Sequence, residues 1–115
     1  MEYNGWTNWE TWDFKLWMDN NEYDHQIILD QINALNEPLN DVYNVNKLAK
    51  FLKGYADAYV EGVVEDENGS SFVHDIINNG IKLINFNEIS AYYLEAFEAE
   101  KEAAEEIIIG RKLAI

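Results

Sequence analysis

Apolar residues recur at helical spacing along most of the chain, and few positions alternate as a strand would require. Thr7 and Glu10 have capping-box spacing, and Trp9, Trp12 and Leu16 follow at i, i+3 and i+7, so a first helix is expected from Thr7 to about Asp19-Asn20-Asn21. A second is expected from about Asn21 to Leu35, with Tyr23, Ile27, Ile28, Ile32 and Leu35 on one side and Pro38 enforcing the stop. Asn44 or Asn46 would cap a third through Leu48, Phe51, Leu52, Tyr55 and Tyr59, ending near Val63. After the polar run Glu65-Asp66-Glu67-Asn68-Gly69, Ser70 or Ser71 would cap a short helix through Phe72, Val73, Ile76 and Ile77. Gly80 suits its left-handed C-terminal position. Asn85 with Glu88 opens a long last helix with Ile89, Tyr92, Tyr93 and Ala96 on its apolar side. Strand-like runs do not exceed Val60–Val64 and Ile81–Ile84. The pattern predicts an all-α fold, a compact bundle of about five helices forming one domain over residues 1–115.

Composition sharpens this picture through its charge. Twenty-two Asp and Glu against eight Lys and Arg give a net charge of −14. Such a field repels nucleic acid and anionic membrane surfaces, so neither is expected as a direct partner, and a basic protein is. With no cysteine, disulfides and thiolate metal sites are excluded, which suits a reducing cytosol. No apolar run has the length of a bilayer span, and the N-terminus lacks a basic head with a hydrophobic core. The expected location is cytoplasmic.

All four tryptophans lie between Trp6 and Trp17. Trp9 and Trp12 share the expected core stripe, which leaves Trp6 and Trp17 as candidate partner anchors, because one helix face cannot bury every large ring. The string Gly5-Trp6-Thr7-Asn8-Trp9-Glu10-Thr11-Trp12, followed by Leu16-Trp17-Met18-Asp19-Asn20, resembles the N-terminal signature of a family of small acidic proteins found in phages, plasmids and bacterial genomes. A second patch, Ser71 to Ile77 with Ile84-Asn85-Phe86-Asn87-Glu88-Ile89-Ser90, resembles the same family's C-terminal half. The chain departs from that pattern at Trp9, where Tyr is commoner, and in the tail Ile107 to Ile115. The resemblance implies a mobile-element origin. By analogy with other small acidic proteins of such elements, it points to inhibition of host defence nucleases, anti-CRISPR and anti-restriction proteins among them.

A row of carboxylates is the second candidate feature. Glu95, Glu98, Glu102, Glu105 and Glu106 step by three or four residues along one side of the last helix, and carboxylates there recur every ~5 Å. That pitch is comparable to the phosphates of a nucleic-acid strand, so the row can stand in for them in a Lys/Arg-lined channel. Glu65, Asp66 and Glu67 form a second acidic patch. Charged outward faces are common on soluble helices, but here only Lys101 offsets these acids before Arg111.

Catalysis is not expected. The two histidines, His25 and His74, have Asp24 and Asp75 beside them, and adjacent helical residues point about 100° apart. Asp66, Asn68, Gly69 and Asp75 fall at four positions of a calcium loop, but position one is Val64, which offers no side-chain oxygen. Neither a metal nor another cofactor is expected, and no phosphate loop or nucleophile elbow is present. These observations converge on a non-enzymatic, stoichiometric inhibitor that covers the nucleic-acid surface of a CRISPR effector or restriction enzyme. The alternative is an interaction module using the Trp-rich N-terminus. A homodimer is also open, through Ile107–Ile109 and Leu113–Ile115.

Overall fold

The computed structural model describes the backbone of residues 2–66 and 71–113 and the side chains of residues 2–62 and 75–111. Five helices account for it: α1 (Trp9–Asn20), α2 (Glu22–Asn33), α3 (Val42–Asp66), α4 (Ser71–Leu83) and α5 (Phe86–Leu113). The expected all-α fold with five helices is what forms; the strand-like run Val60–Val64 lies inside α3, and Ile81–Leu83 of the second run lies inside α4, with Ile84 just past its end.

The principal packing is α3 against α5. The α1 helix touches α2, α4 and α5, and α4 lies on α3. The shared core takes Met18 from α1, Ile28 and Ile32 from α2, Leu48 and Leu52 from α3, and Ile89, Tyr93 and Leu94 from α5. At 28 residues, α5 is about 42 Å long, and it outruns the helices that cover it. The molecule is therefore elongated, 66 × 29 × 25 Å, with a radius of gyration of 17.5 Å where about 13 Å is typical of a compact chain of this length.

The helix starts depart from the pattern in instructive ways. Asn8, not Thr7, caps α1, accepting from the Thr11 amide at 2.9 Å. Asp41 caps α3 by accepting from the Asn44 amide at 2.8 Å. Asn44 is itself buried, its Nδ2 donating to the carbonyls of Asn36 and Pro38 and tying the α2–α3 turn to α3. Asn85 does cap α5, accepting from the Glu88 amide at 3.0 Å. Gly80 does not end α4, which continues to Leu83 because nothing forces a left-handed residue there.

The largest correction concerns the face of α1 that is buried. Trp9 is 48 % exposed and Leu16 40 %, whereas Thr11 and Met18 are fully buried and Phe14 packs against the core. Helix α1 is thus rotated away from its expected stripe. The reason is polar: Thr11 Oγ1 donates to Asn8 Oδ1 at 2.6 Å and accepts from the Asn85 amide at 2.9 Å, while Asn8 Nδ2 donates to the Leu83 carbonyl at 2.6 Å. The Asn85 amide and the Leu83 carbonyl gain these partners only with Thr11 and Asn8 turned towards the α4–α5 connection. Tyr23 and Ile76, expected on core stripes, are also exposed.

Ahead of α1, Tyr3 and Trp6 exchange both backbone hydrogen bonds at 2.8 Å. Asn4 at φ 47° and Gly5 at φ 86° occupy the two central positions. Left-handed geometry at both is the requirement of the Asn-Gly turn that reverses a chain in two residues.

Candidate functional site

The carboxylate row of α5 divides once its surroundings are resolved. Glu95, Glu102, Glu105 and Glu106 are exposed. Glu98 is only half-buried and is engaged: its Oε2 accepts from the Leu39 amide at 3.0 Å, pinning the turn before α3 to α5. Glu98 therefore does not belong to the free row, contrary to its expected solvent-facing position. Lys101 pairs with Glu37 of the same turn, so the one cation within the row is turned towards the body. From Glu95 to Glu106 these carboxylates span about 16 Å of helix axis, and none of them pairs with a cation among the described residues. Within the second acidic patch, the side chains of Glu65 and Asp66 and the whole of Glu67 lie outside the described residues. So do the central residues of the calcium-loop candidate. Among the described residues no three His, Asp or Glu side chains are placed to hold a metal ion.

The two tryptophans singled out as anchors have different fates. Trp6 is not free: the Asn-Gly turn folds it onto α5, where its ring lies 5.3 Å from that of Tyr92 and packs against the core. Lys15 completes this cluster, its Nζ lying 4.5 Å from the Tyr92 ring, 5.5 Å from Tyr93 and 5.7 Å from Trp6. The same ammonium pairs with Asp19, which accepts a hydrogen bond from the Tyr93 hydroxyl. Burial pushes the Tyr93 phenol well above its usual range, and the Asp19 hydrogen bond adds to the effect. Burial likewise raises Tyr55 to about 12, reinforced by its hydrogen bond to the buried carboxylate of Asp24. His25 Nδ1 lies 3.8 Å from Asp19. This arrangement ties α1 to α5 through one cation and three rings. It is a structural clamp that spacing alone did not reveal, because Lys15 sits beside Phe14 on a nominally polar face.

Trp17, in contrast, stays 37 % exposed and meets Tyr59 edge to face at 5.2 Å. With Trp9, Phe14, Tyr55, Val60, Ile77 and Ile81 it lines a mainly apolar groove of about 420 Å³ between α1, α3 and α4. Glu10 and Asp13 also line it. The sequence held signals for both features. Asn4-Gly5 marks the turn, and the pair of Tyr59 with the rings of α1 follows once α1 is rotated.

No helix of the described residues is long and apolar enough to cross a membrane. No curated protein and no solved structure matches the chain. A family model does match, over residues 1–105, a stretch holding the Asn-Gly turn, the Lys15 clamp and the carboxylates from Glu95 to Glu105, and stopping before Ile107–Ile109. The chain belongs to DUF7249, a family of unknown function.

Proposed function

We propose that this protein is a non-catalytic inhibitor, of phage or other mobile-element origin, that covers the nucleic-acid-binding surface of a bacterial defence nuclease, such as a CRISPR effector or a restriction enzyme. One observation carries the reading. Helix α5 runs along and then past the body with Glu95, Glu102, Glu105 and Glu106 exposed, and the cation among them, Lys101, is committed to Glu37. A row of fixed negative charge at this pitch pairs with the Lys and Arg groups that otherwise grip phosphates, and such charge-assisted pairs are the strong ones. The clamp at Lys15 and the Glu98–Leu39 hydrogen bond hold α5 in place, so the row needs little ordering on binding. The net charge of −14 steers the molecule towards basic surfaces before contact.

The test is inhibition of DNA cleavage across a panel of purified CRISPR effectors and restriction enzymes, followed by DNA competition on each enzyme inhibited. Replacing Glu95, Glu102, Glu105 and Glu106 together by Lys is expected to abolish inhibition, with circular dichroism unchanged. Raising salt should weaken wild-type binding, because screening acts over about 8 Å at physiological ionic strength. Inhibition by the folded Lys variant at wild-type concentration, or the absence of inhibition across the panel, overturns the proposal.

A further inference from the structure

Two unpartnered features of this chain match each other. The first is the end of α5. Phe97 faces the core, and the same side of the helix continues through Ala104 and Ile108 to Arg111 at spacings of seven, eleven and fourteen residues. Among the described residues nothing covers it there: Ile107, Ile108 and Ile109 are 57 %, 52 % and 56 % exposed. Arg111 is exposed and makes no ion pair among the described residues. In sequence, Lys112 follows it. The second feature is the groove between α1, α3 and α4, mainly apolar and lined in part by the exposed rings of Trp9, Trp17 and Tyr59. Its lining includes Glu10 and Asp13, which have no cationic partner among the described residues.

We infer that the groove receives the basic, isoleucine-rich end of α5 from a second copy of this chain. The residues fit in kind: branched aliphatic side chains against aromatic walls, and Arg111 against the carboxylates of Glu10 and Asp13. The chain cannot satisfy its own groove. Ile84, two residues before α5, lines the groove, and Ile108 lies about 33 Å farther along the helix from Phe86. Reaching back would require breaking α5. A two-fold axis crossing α5 between its ends brings each tail to the groove end of its partner, so both contacts form at once and the assembly closes. Two chains of −14 repel at long range, so the contact depends on this local complementarity and on the apolar area that the two tails lose to solvent. Because the family match ends at residue 105, the tail lies outside the matched stretch, whereas the groove lies within it. The inference goes beyond the proposed inhibition and does not depend on it.

Sedimentation equilibrium of the full chain across the micromolar range reads the outcome. Wild type is expected to show a monomer–dimer equilibrium. Deleting residues 107–115 should leave a folded monomer. Gly80→Leu offers an independent arm: Gly80 lines the groove inside α4, and a Cβ added there meets no heavy atom within 4 Å, so the branch point of a leucine is accommodated and its remaining carbons are expected to occupy groove space, with circular dichroism as the folding control. This variant should also be monomeric. Mixing it with the deletion variant should restore a heterodimer, since one supplies the tail and the other the groove. Arg111→Glu should weaken dimerisation about tenfold, and Glu10→Lys in the same chain should recover it. A wild type that stays monomeric, or a Gly80→Leu variant that dimerises as wild type does, overturns the inference.

Discussion

Thr11 is the side chain on which the junction of α1 and α5 rests, and replacing it gives a sharp test of how this fold is held. It is fully buried, donates to Asn8 Oδ1 at 2.6 Å and accepts from the Asn85 amide at 2.9 Å. Thr11→Val keeps the branched shape and nearly the same helix propensity while removing the hydroxyl. Two hydrogen bonds are lost, each worth about 0.5–1.5 kcal/mol net, and the Asn85 N–H is left without a partner, which costs about 1–3 kcal/mol. These overlap, so the expected loss is about 2–4 kcal/mol. For a domain of this size that lowers Tm by roughly 8–16 °C, at ~4 °C per kcal/mol. Thr11→Ser is the matched control: it keeps both hydrogen bonds and loses one methyl group, worth about 1 kcal/mol. Urea unfolding of the three proteins, followed by circular dichroism at 222 nm, measures the difference. If Val is as stable as Ser, the hydroxyl does not hold the junction, and the polar explanation for the rotation of α1 is wrong.

Glu98→Ala should destabilise the fold by about 1–2 kcal/mol, because it leaves the Leu39 amide without its acceptor, whereas Glu102→Ala and Glu105→Ala should stay within about 0.5 kcal/mol in the same unfolding assay. Lys15→Met should cost about 1–3 kcal/mol, since the aliphatic stem is kept while the ion pair to Asp19 and the contacts with three rings are lost; an unchanged unfolding midpoint would show that the clamp is incidental. Tyr55 and Tyr93 titrate higher in the fold than the ordinary phenol value of 10.0, so the unfolded chain loses those protons first. Their contribution is complete below pH 10 and is lost as pH rises through the folded value, about 12 for Tyr55. Urea midpoints measured from pH 9 to pH 12 should therefore fall more steeply for wild type than for the Tyr55→Phe, Tyr93→Phe double variant, and equal slopes would contradict the assignment.

Helix content was legible in the sequence because local rules govern it: period 3.6, few breakers, and a cap such as Asn85 whose side chain reaches only its own helix. The lopsided charge and the carboxylate row of α5 were equally plain. Which face of each helix is buried was not, and α1 shows why. Area alone favours burying Trp9 and Trp12, but the amide of Asn85, 74 residues beyond Thr11, needs an acceptor. The two can meet only with Thr11 turned inward. Glu98 has the same lesson: its periodicity is that of a solvated acid, and its role comes from the Leu39 amide, 59 residues away. Trp6 and Trp17 carry the same side chain close together in sequence, yet the Asn4-Gly5 turn folds one onto α5 while α3 leaves the other at the edge of a groove. Sequence determined the elements and the charge of this protein, because propensity and composition act over a few residues. Tertiary structure decided which rings, carboxylates and isoleucines remain available to a partner, because hydrogen-bond satisfaction and packing couple residues far apart in the chain.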